Sequence, residues 1–127
     1  MQMSAVVLAN RAEVGPDGLL YVQGGGWEHF DVPELPWTLD GYVAGIVTFD
    51  AGEIGQSRLI RFSLSQAGQD LESSGSMTIK ATRKRAPFVF RFTAVVSAEG
   101  EFVVEISDEQ GPAGQVDSMI VLAIPED

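Results

Sequence analysis

The sequence contains no cysteine and a single histidine, His29, among its 127 residues. Without cysteine, the chain cannot form a disulfide framework, a cysteine-ligated zinc site, an iron–sulfur cluster or a thiol nucleophile. A single imidazole cannot build a histidine-rich metal site, and it leaves one histidine for acid–base chemistry near neutral pH. We therefore expect neither a metal ion nor another cofactor.

Basic residues are few and concentrated in one place. Eighteen acidic residues face eight basic ones, for a net charge of −10, so the chain should repel nucleic-acid phosphates and anionic membranes. We expect neither nucleic acid nor membrane as a partner. Residues 80–91 contain no acid and hold five of the eight basic residues: Lys80, Arg83, Lys84, Arg85 and Arg91. This basic segment is either a solvated turn between strands or a docking point for an acidic partner or a phosphate.

Long apolar runs are also missing. The first apolar run, residues 5–9, is five residues long and no basic residue precedes it, so it is too short and wrongly flanked for a secretory signal. No stretch approaches the ~20 apolar residues that a membrane-spanning helix needs. The sequence therefore predicts a cytoplasmic protein.

Helical periodicity is nearly absent, and apolar and polar residues alternate with a period of two instead. In residues 88–96, Phe88, Phe90 and Phe92 share one face of a strand. Residues 101–106 alternate in the same way and would return as the second strand of a hairpin. Six further segments have strand character: 4–9, 19–23, 42–49, 58–64, 77–81 and 119–124. We expect turns at 73–76 and 108–114, among others, and one helical turn could fit at 10–14.

These segments predict an all-β fold, a single two-layer β-sandwich of about seven to nine mostly antiparallel strands, in one domain spanning residues 1–127. A closed barrel is the alternative. Residues 24–37 depart from the pattern, because they hold three glycines, two prolines, both tryptophans and the histidine. Since Pro33 and Pro36 exclude a central strand, this segment should be a crossing loop or an irregular edge.

The opening of the chain resembles a family of small bacterial and phage-associated proteins of unknown function. The resemblance covers residues 5–37 and rests on four short motifs: VLAN at 7–10, PDGLLYV at 16–22, GGG at 24–26 and VPELP at 32–36. Asn10 stands where the family usually has aspartate. The resemblance implies a single β-sandwich domain and supplies no activity.

Candidate chemistry is sparse. In a strand, His29 and Asp31 would share a face and could form a hydrogen-bonded pair, which could act as a general base. No Gly-x-Ser-x-Gly motif supplies a nucleophile, so we expect no enzymatic activity. The tryptophans Trp27 and Trp37 could form an exposed aromatic platform for a ligand, or they could plug the end of the sandwich.

We therefore expect a non-enzymatic protein-interaction or scaffold module that binds a protein partner or a second copy of itself. The alternative is a small-ligand-binding domain that uses the loop between the two tryptophans. The candidate binding residues are Trp27, His29, Asp31, Trp37, Arg83, Lys84 and Arg85.

Overall fold

The computed structural model describes residues 1–123, apart from the side chains of Glu72 and Ser73. Within them nine strands and one short 3-10 helix follow one another: β1 (Gln2–Val14), β2 (Leu20–Gly25), β3 (His29–Val32), β4 (Trp37–Thr48), the helix (Ala51–Glu53), β5 (Ser57–Gln66), β6 (Gln69–Lys80), β7 (Arg85–Val96), β8 (Gly100–Asp108) and β9 (Gly111–Leu122). No helix in this part of the chain has the length and apolar character needed to cross a membrane.

The strands form two sheets that pack face to face. Sheet A has the order β2-β1-β4-β7, and sheet B has the order β3-β9-β8-β5-β6. All pairs are antiparallel except β3 with β9, which run parallel. The predicted all-β sandwich of mostly antiparallel strands is therefore confirmed. The last predicted strand extended to Ile124, which lies outside the described residues.

The core lies between the sheets and follows the predicted alternation. Phe88 and Phe92 of β7 are buried, as are Phe62 of β5 and Phe102 of β8. Phe90 is half-buried, and its ring stacks on that of Phe62 with centroids 4.1 Å apart. Period-two burial of large apolar side chains from both sheets is what drives the two layers together.

The hairpin of β1 and β2 folds back over the outer face of sheet A. β1 pairs with β4 only as far as Ala9, opposite Tyr42. If β1 continued straight along β4, the hairpin would extend beyond Trp37, where β4 begins. β7 begins at the opposite end of the sheet, because Arg85 pairs with Thr48. Instead the guanidinium of Arg83 lies beside Gly18 at the hairpin tip, 3.2 Å from where a Cβ on that glycine would be. β1 also contacts β7, although β4 separates them within the sheet.

Small residues make this return possible. Ala44 of β4 and Ala9 and Ala12 of the hairpin itself are buried but lie outside the core between the sheets, as expected where the hairpin packs against the sheet. The bend coincides with Gly24, which has φ +60°, and the space its side chain would need is occupied by the Asn10 amide. Glycine adopts this left-handed conformation without steric cost.

Three local predictions were wrong. The expected helical turn at 10–14 is part of β1, because residues 11–14 pair with β2. The expected turn at 73–76 is part of β6, where Gly75 pairs with Phe62 and leaves room for the Phe90 ring. The expected turn at 108–114 is much shorter, since β8 ends at Asp108 and β9 begins at Gly111.

Candidate functional site

The segment at 24–37 is an irregular edge, as predicted. β3 lies at the edge of sheet B and pairs only with β9, from His29 opposite Met119 to Val32 opposite Leu122. Residues 33–36, with both prolines, join β3 to β4. Proline cannot donate to a strand ladder, so the chain leaves the sheet where Pro33 begins the loop.

The predicted His29–Asp31 pair exists and lies in solvent. Nδ1 of His29 is 3.2 Å from Oδ1 of Asp31, and the two side chains are 61% and 55% exposed. Phe30, between them, packs against the core on the other face. An exposed pair of this kind contributes little binding or stability, because water and salt screen it.

Both tryptophans are half-buried against the core. The Trp27 indole N–H donates to the carbonyl oxygen of Gly24 at 2.9 Å, and its ring lies 4.8 Å from that of Phe30. Trp37 begins β4 and also packs on the core. Within the described part of the chain, no ring contact joins the two tryptophans. These contacts support the interpretation that the tryptophans serve to pack the sandwich. A ligand-binding role for the loop between Trp27 and Trp37 stays a prediction.

The basic residues lie at the opposite end of β4. Arg83 and Lys84 occupy the tight turn between β6 and β7, Arg85 begins β7, and all three are exposed. The turn is anchored to the segment after β4, because the Phe49 N–H donates to the Lys84 carbonyl oxygen at 2.7 Å. Arg91 lies apart from them, with its guanidinium 6.0 Å from the centre of the Tyr42 ring.

A hollow of about 530 Å³ lies beside this turn. Its floor includes the buried Phe49, and Ile54 stands at its wall with 44% of its side chain exposed. Arg83 and Lys84 complete the lining, together with three more residues: Thr48, Asp50 and Ala51. We call the hollow and its two cations the basic groove. An apolar floor beneath exposed cations suits a segment that carries both aliphatic and acidic side chains.

The loop that forms the groove is held from below by Glu53. Its Oε1 accepts hydrogen bonds from the Met1 amino group at 2.6 Å and from the Asp50 N–H at 3.0 Å, and its Oε2 lies 3.3 Å from Arg58. The Met1 amino group is the main cause that lowers the pKa of Glu53 below its ordinary 4.5, followed by the Asp50 N–H. The carboxylate is therefore fully ionised near neutral pH and rigidly placed.

The cations of the groove are unpaired, in contrast to Arg58. Among the side chains that the structure describes, no carboxylate forms an ion pair with Arg83, Lys84 or Arg85. In a chain of net charge −10, this is where an acidic partner is repelled least. No three carboxylate or imidazole groups within the described residues are arranged to hold a metal ion.

Sequence reasoning identified Arg83, Lys84 and Arg85 but missed the apolar half of the groove. Phe49 and Ile54 lie some thirty residues earlier, and the pairing of β4 with β7 brings them together. The sequence carried no signal for them, because a single apolar residue such as Ile54 in a connection between strands is ordinary on a protein surface.

No protein-family model matches the chain, and no curated protein matches its sequence. The resemblance of residues 5–37 to small bacterial and phage-associated proteins therefore stays a prediction.

Proposed function

We propose that this protein is a non-enzymatic interaction or scaffold module that binds an acidic, aliphatic segment of a partner protein in the basic groove. The observation that carries the proposal is the pair of unpaired cations, Arg83 and Lys84, at the rim of an apolar hollow. The proposal includes a cytoplasmic location. A chain without cysteine is compatible with it, because cytosolic proteins rarely depend on disulfides.

The chemistry of the groove defines what should bind. Ile54 offers exposed aliphatic surface, so a leucine or isoleucine of the partner would lose water contact against it. A carboxylate nearby would accept hydrogen bonds from the Arg83 guanidinium, and charge-assisted bonds of this kind are among the stronger ones. Electrostatic attraction also speeds encounter and makes affinity fall as salt rises.

Selection from a random peptide library on the purified protein tests the proposal. We expect enrichment of peptides that combine Asp or Glu with Leu or Ile. The double reversal Arg83→Glu with Lys84→Glu should weaken their binding at least tenfold, which corresponds to about 1.4 kcal/mol. Raising the salt concentration should weaken binding to the unaltered protein as well.

The matched control reverses two other exposed arginines, Arg61→Glu with Arg91→Glu. It makes the same change in net charge, and it leaves the groove intact, because Arg61 lies on β5 and Arg91 lies about 20 Å along β7 from Arg85. The control should bind the selected peptides almost as well as the unaltered protein. Selected peptides without acids, or equal losses in the two double variants, would refute the proposal.

A further inference from the structure

The chain itself contains a segment with the chemistry that we propose for the partner of the basic groove. Residues 124–127, which lie outside the described part, read Ile-Pro-Glu-Asp, so an aliphatic side chain is followed by two adjacent acids. The sequence has one other pair of adjacent acids, at 108–109, where β8 turns into β9. The nearest large aliphatic residue there, Ile106, is buried in the core. The 124–127 segment is therefore the better match for the groove.

The chain leads into this segment at the end of the sandwich opposite the groove. The N–H of Ala123, the residue before the segment, donates to the carbonyl oxygen of Val32 at 2.8 Å. Val32 ends β3, and a loop of four residues leads from it to Trp37, where β4 begins. The groove is lined by Thr48 at the other end of β4. The full length of β4 therefore separates the segment from the groove of its own chain.

This distance exceeds the reach of the segment. The twelve residues of β4 span about 36 Å, at about 3.3 Å for each step along the strand. Four residues cover at most about 14 Å when they are fully extended. The segment therefore cannot reach the groove of its own chain, whereas the groove of a second copy can receive it.

The surroundings of the segment and of the groove carry opposite charge. Exposed Glu34 and Glu99 lie where the described chain leaves the sandwich, and Oε1 of Glu99 accepts a hydrogen bond from the Leu122 N–H at 2.8 Å. Residues 92–127 contain no base, whereas residues 80–91, beside the groove, contain five bases and no acid. Unlike charges therefore meet when this end of one copy approaches the groove of another, although the net charge of −10 opposes contact in other orientations.

We propose that the 124–127 segment of one copy binds in the basic groove of a second copy, a contact that rests on the proposed function of the groove. The isoleucine of the segment packs against Ile54, and its two carboxylates accept hydrogen bonds from Arg83 and Lys84. Asp50, the one acid in the groove lining, repels these carboxylates and directs them to the cations. Because segment and groove lie at opposite ends of the molecule, the contact repeats head to tail.

Sedimentation analysis of the full chain over a concentration series tests the inference. The unaltered protein should self-associate with a dissociation constant below about 1 mM, and its mean mass should rise past that of a dimer. The segment reversal, Glu126→Lys with Asp127→Lys, should raise the dissociation constant at least tenfold. This variant changes the net charge from −10 to −6, which by itself reduces repulsion between copies, so weaker association reports the lost contact.

Two further variants complete the design. Glu101→Lys with Glu105→Lys makes the same change in net charge at exposed positions of β8 and should not weaken association. The groove reversal, Arg83→Glu with Lys84→Glu, should weaken association at least tenfold. Combined in one chain, the segment reversal and the groove reversal place lysines opposite glutamates at an unchanged net charge, and most of the affinity should return.

A second measurement uses the small number of lysines. A carbodiimide joins a lysine amine to a carboxylate in direct contact, and the chain has two lysines, Lys80 and Lys84. In a mixture of isotopically labelled and unlabelled protein, cross-links between copies should join Lys84 to residue 126 or 127. Lys80 is the internal control, because it is also exposed but ends β6 outside the groove lining, and it should form none of these cross-links.

The proposed function and this inference fail separately. A protein that stays monomeric up to about 1 mM would overturn the inference, and the proposed function would stand if the library-selected peptides still bind the groove. Absence of both peptide binding and self-association would refute the two together. Equal weakening by the segment reversal and its β8 control, or additive losses in the combined variant, would overturn the contact between segment and groove.

Discussion

The ring of Trp27 packs directly against Gly41, and a substitution of this glycine can therefore measure the structural role of the tryptophan. A Cβ added to Gly41 in β4 would lie 2.7 Å from Cη2 of Trp27 and 2.9 Å from Cζ of Phe92. Carbon atoms in contact prefer about 3.5 Å or more, so the indole ring must move by about 0.8 Å or leave its position. Phe92 is buried in the core and has little room to yield.

We therefore expect Gly41→Ala to destabilise the protein by about 1–3 kcal/mol, the usual cost of adding a methyl group to a tightly packed site. With an m-value of about 1.5 kcal/mol/M, the midpoint of urea unfolding should fall by about 0.7–2 M. Tryptophan emission of the folded protein should also shift to longer wavelength, as the Trp27 ring gains contact with water.

Two controls separate this clash from a general effect of alanine. Gly52 has no heavy atom within 4 Å of an added Cβ, so Gly52→Ala should leave stability nearly unchanged or raise it slightly. In a Trp27→Leu background, Gly41→Ala should cost less than in the unaltered chain. Unchanged stability and emission in Gly41→Ala would refute the reasoning and leave Trp27 available as a ligand platform.

Three further changes test other contacts. The Met1 amino group lowers the pKa of Glu53, so the stability from this contact is fully present above about pH 4.5 and is lost as pH falls through the folded-state pKa. In urea unfolding, Glu53→Gln should cost about 1.5–3 kcal/mol at pH 7, and this cost should shrink as the pH falls through the folded-state pKa. Ser118→Ala should stabilise the protein by about 1 kcal/mol, because the buried hydroxyl has no hydrogen-bond partner among the described residues. The hydrogen bond to Asp17 raises the pKa of Tyr21 above 10.0, so Asp17→Asn should lower it in an ultraviolet titration.

Each of these has a clear contrary result. A loss in Glu53→Gln that stays constant from pH 7 down to the acid unfolding of the protein would show that the carboxylate acts by shape and not by charge. A loss of more than about 1 kcal/mol in Ser118→Ala would mean that the hydroxyl makes a bond. Unchanged tyrosine titration in Asp17→Asn would mean that the hairpin turn holds Tyr21 by packing alone.

The core was predictable because burial in a strand has a period of two. The run from Phe88 to Val96 showed its inner face directly, and the same regularity placed His29 and Asp31 on one side of β3. The run of serine and glycine at 73–76 misled for the opposite reason. Such small residues are typical of a turn, but Gly75 serves to admit the Phe90 ring from the other sheet.

The folded-back hairpin and the groove were beyond sequence reasoning. Ala9 and Ala44 are buried on the outer face of sheet A, but alanine is also common on exposed faces, so it does not identify a covered one. The basic side of the groove is local in sequence, whereas Ile54 reaches it only through pairing of distant strands. The alternation of residues within a strand shows which of its faces is buried. The pairing of strands distant in sequence determines which residues form a surface together.

The parallel pair of β3 with β9 bears on the order in which the chain can fold as it is synthesised. All four strands of sheet A end by Val96, so that sheet can assemble while later residues are still being added. β3 emerges early but has no strand beside it until residues 119–122 arrive. The backbone of β3 therefore stays unpaired through most of synthesis, and the last step of folding must join segments about ninety residues apart, a separation that slows folding.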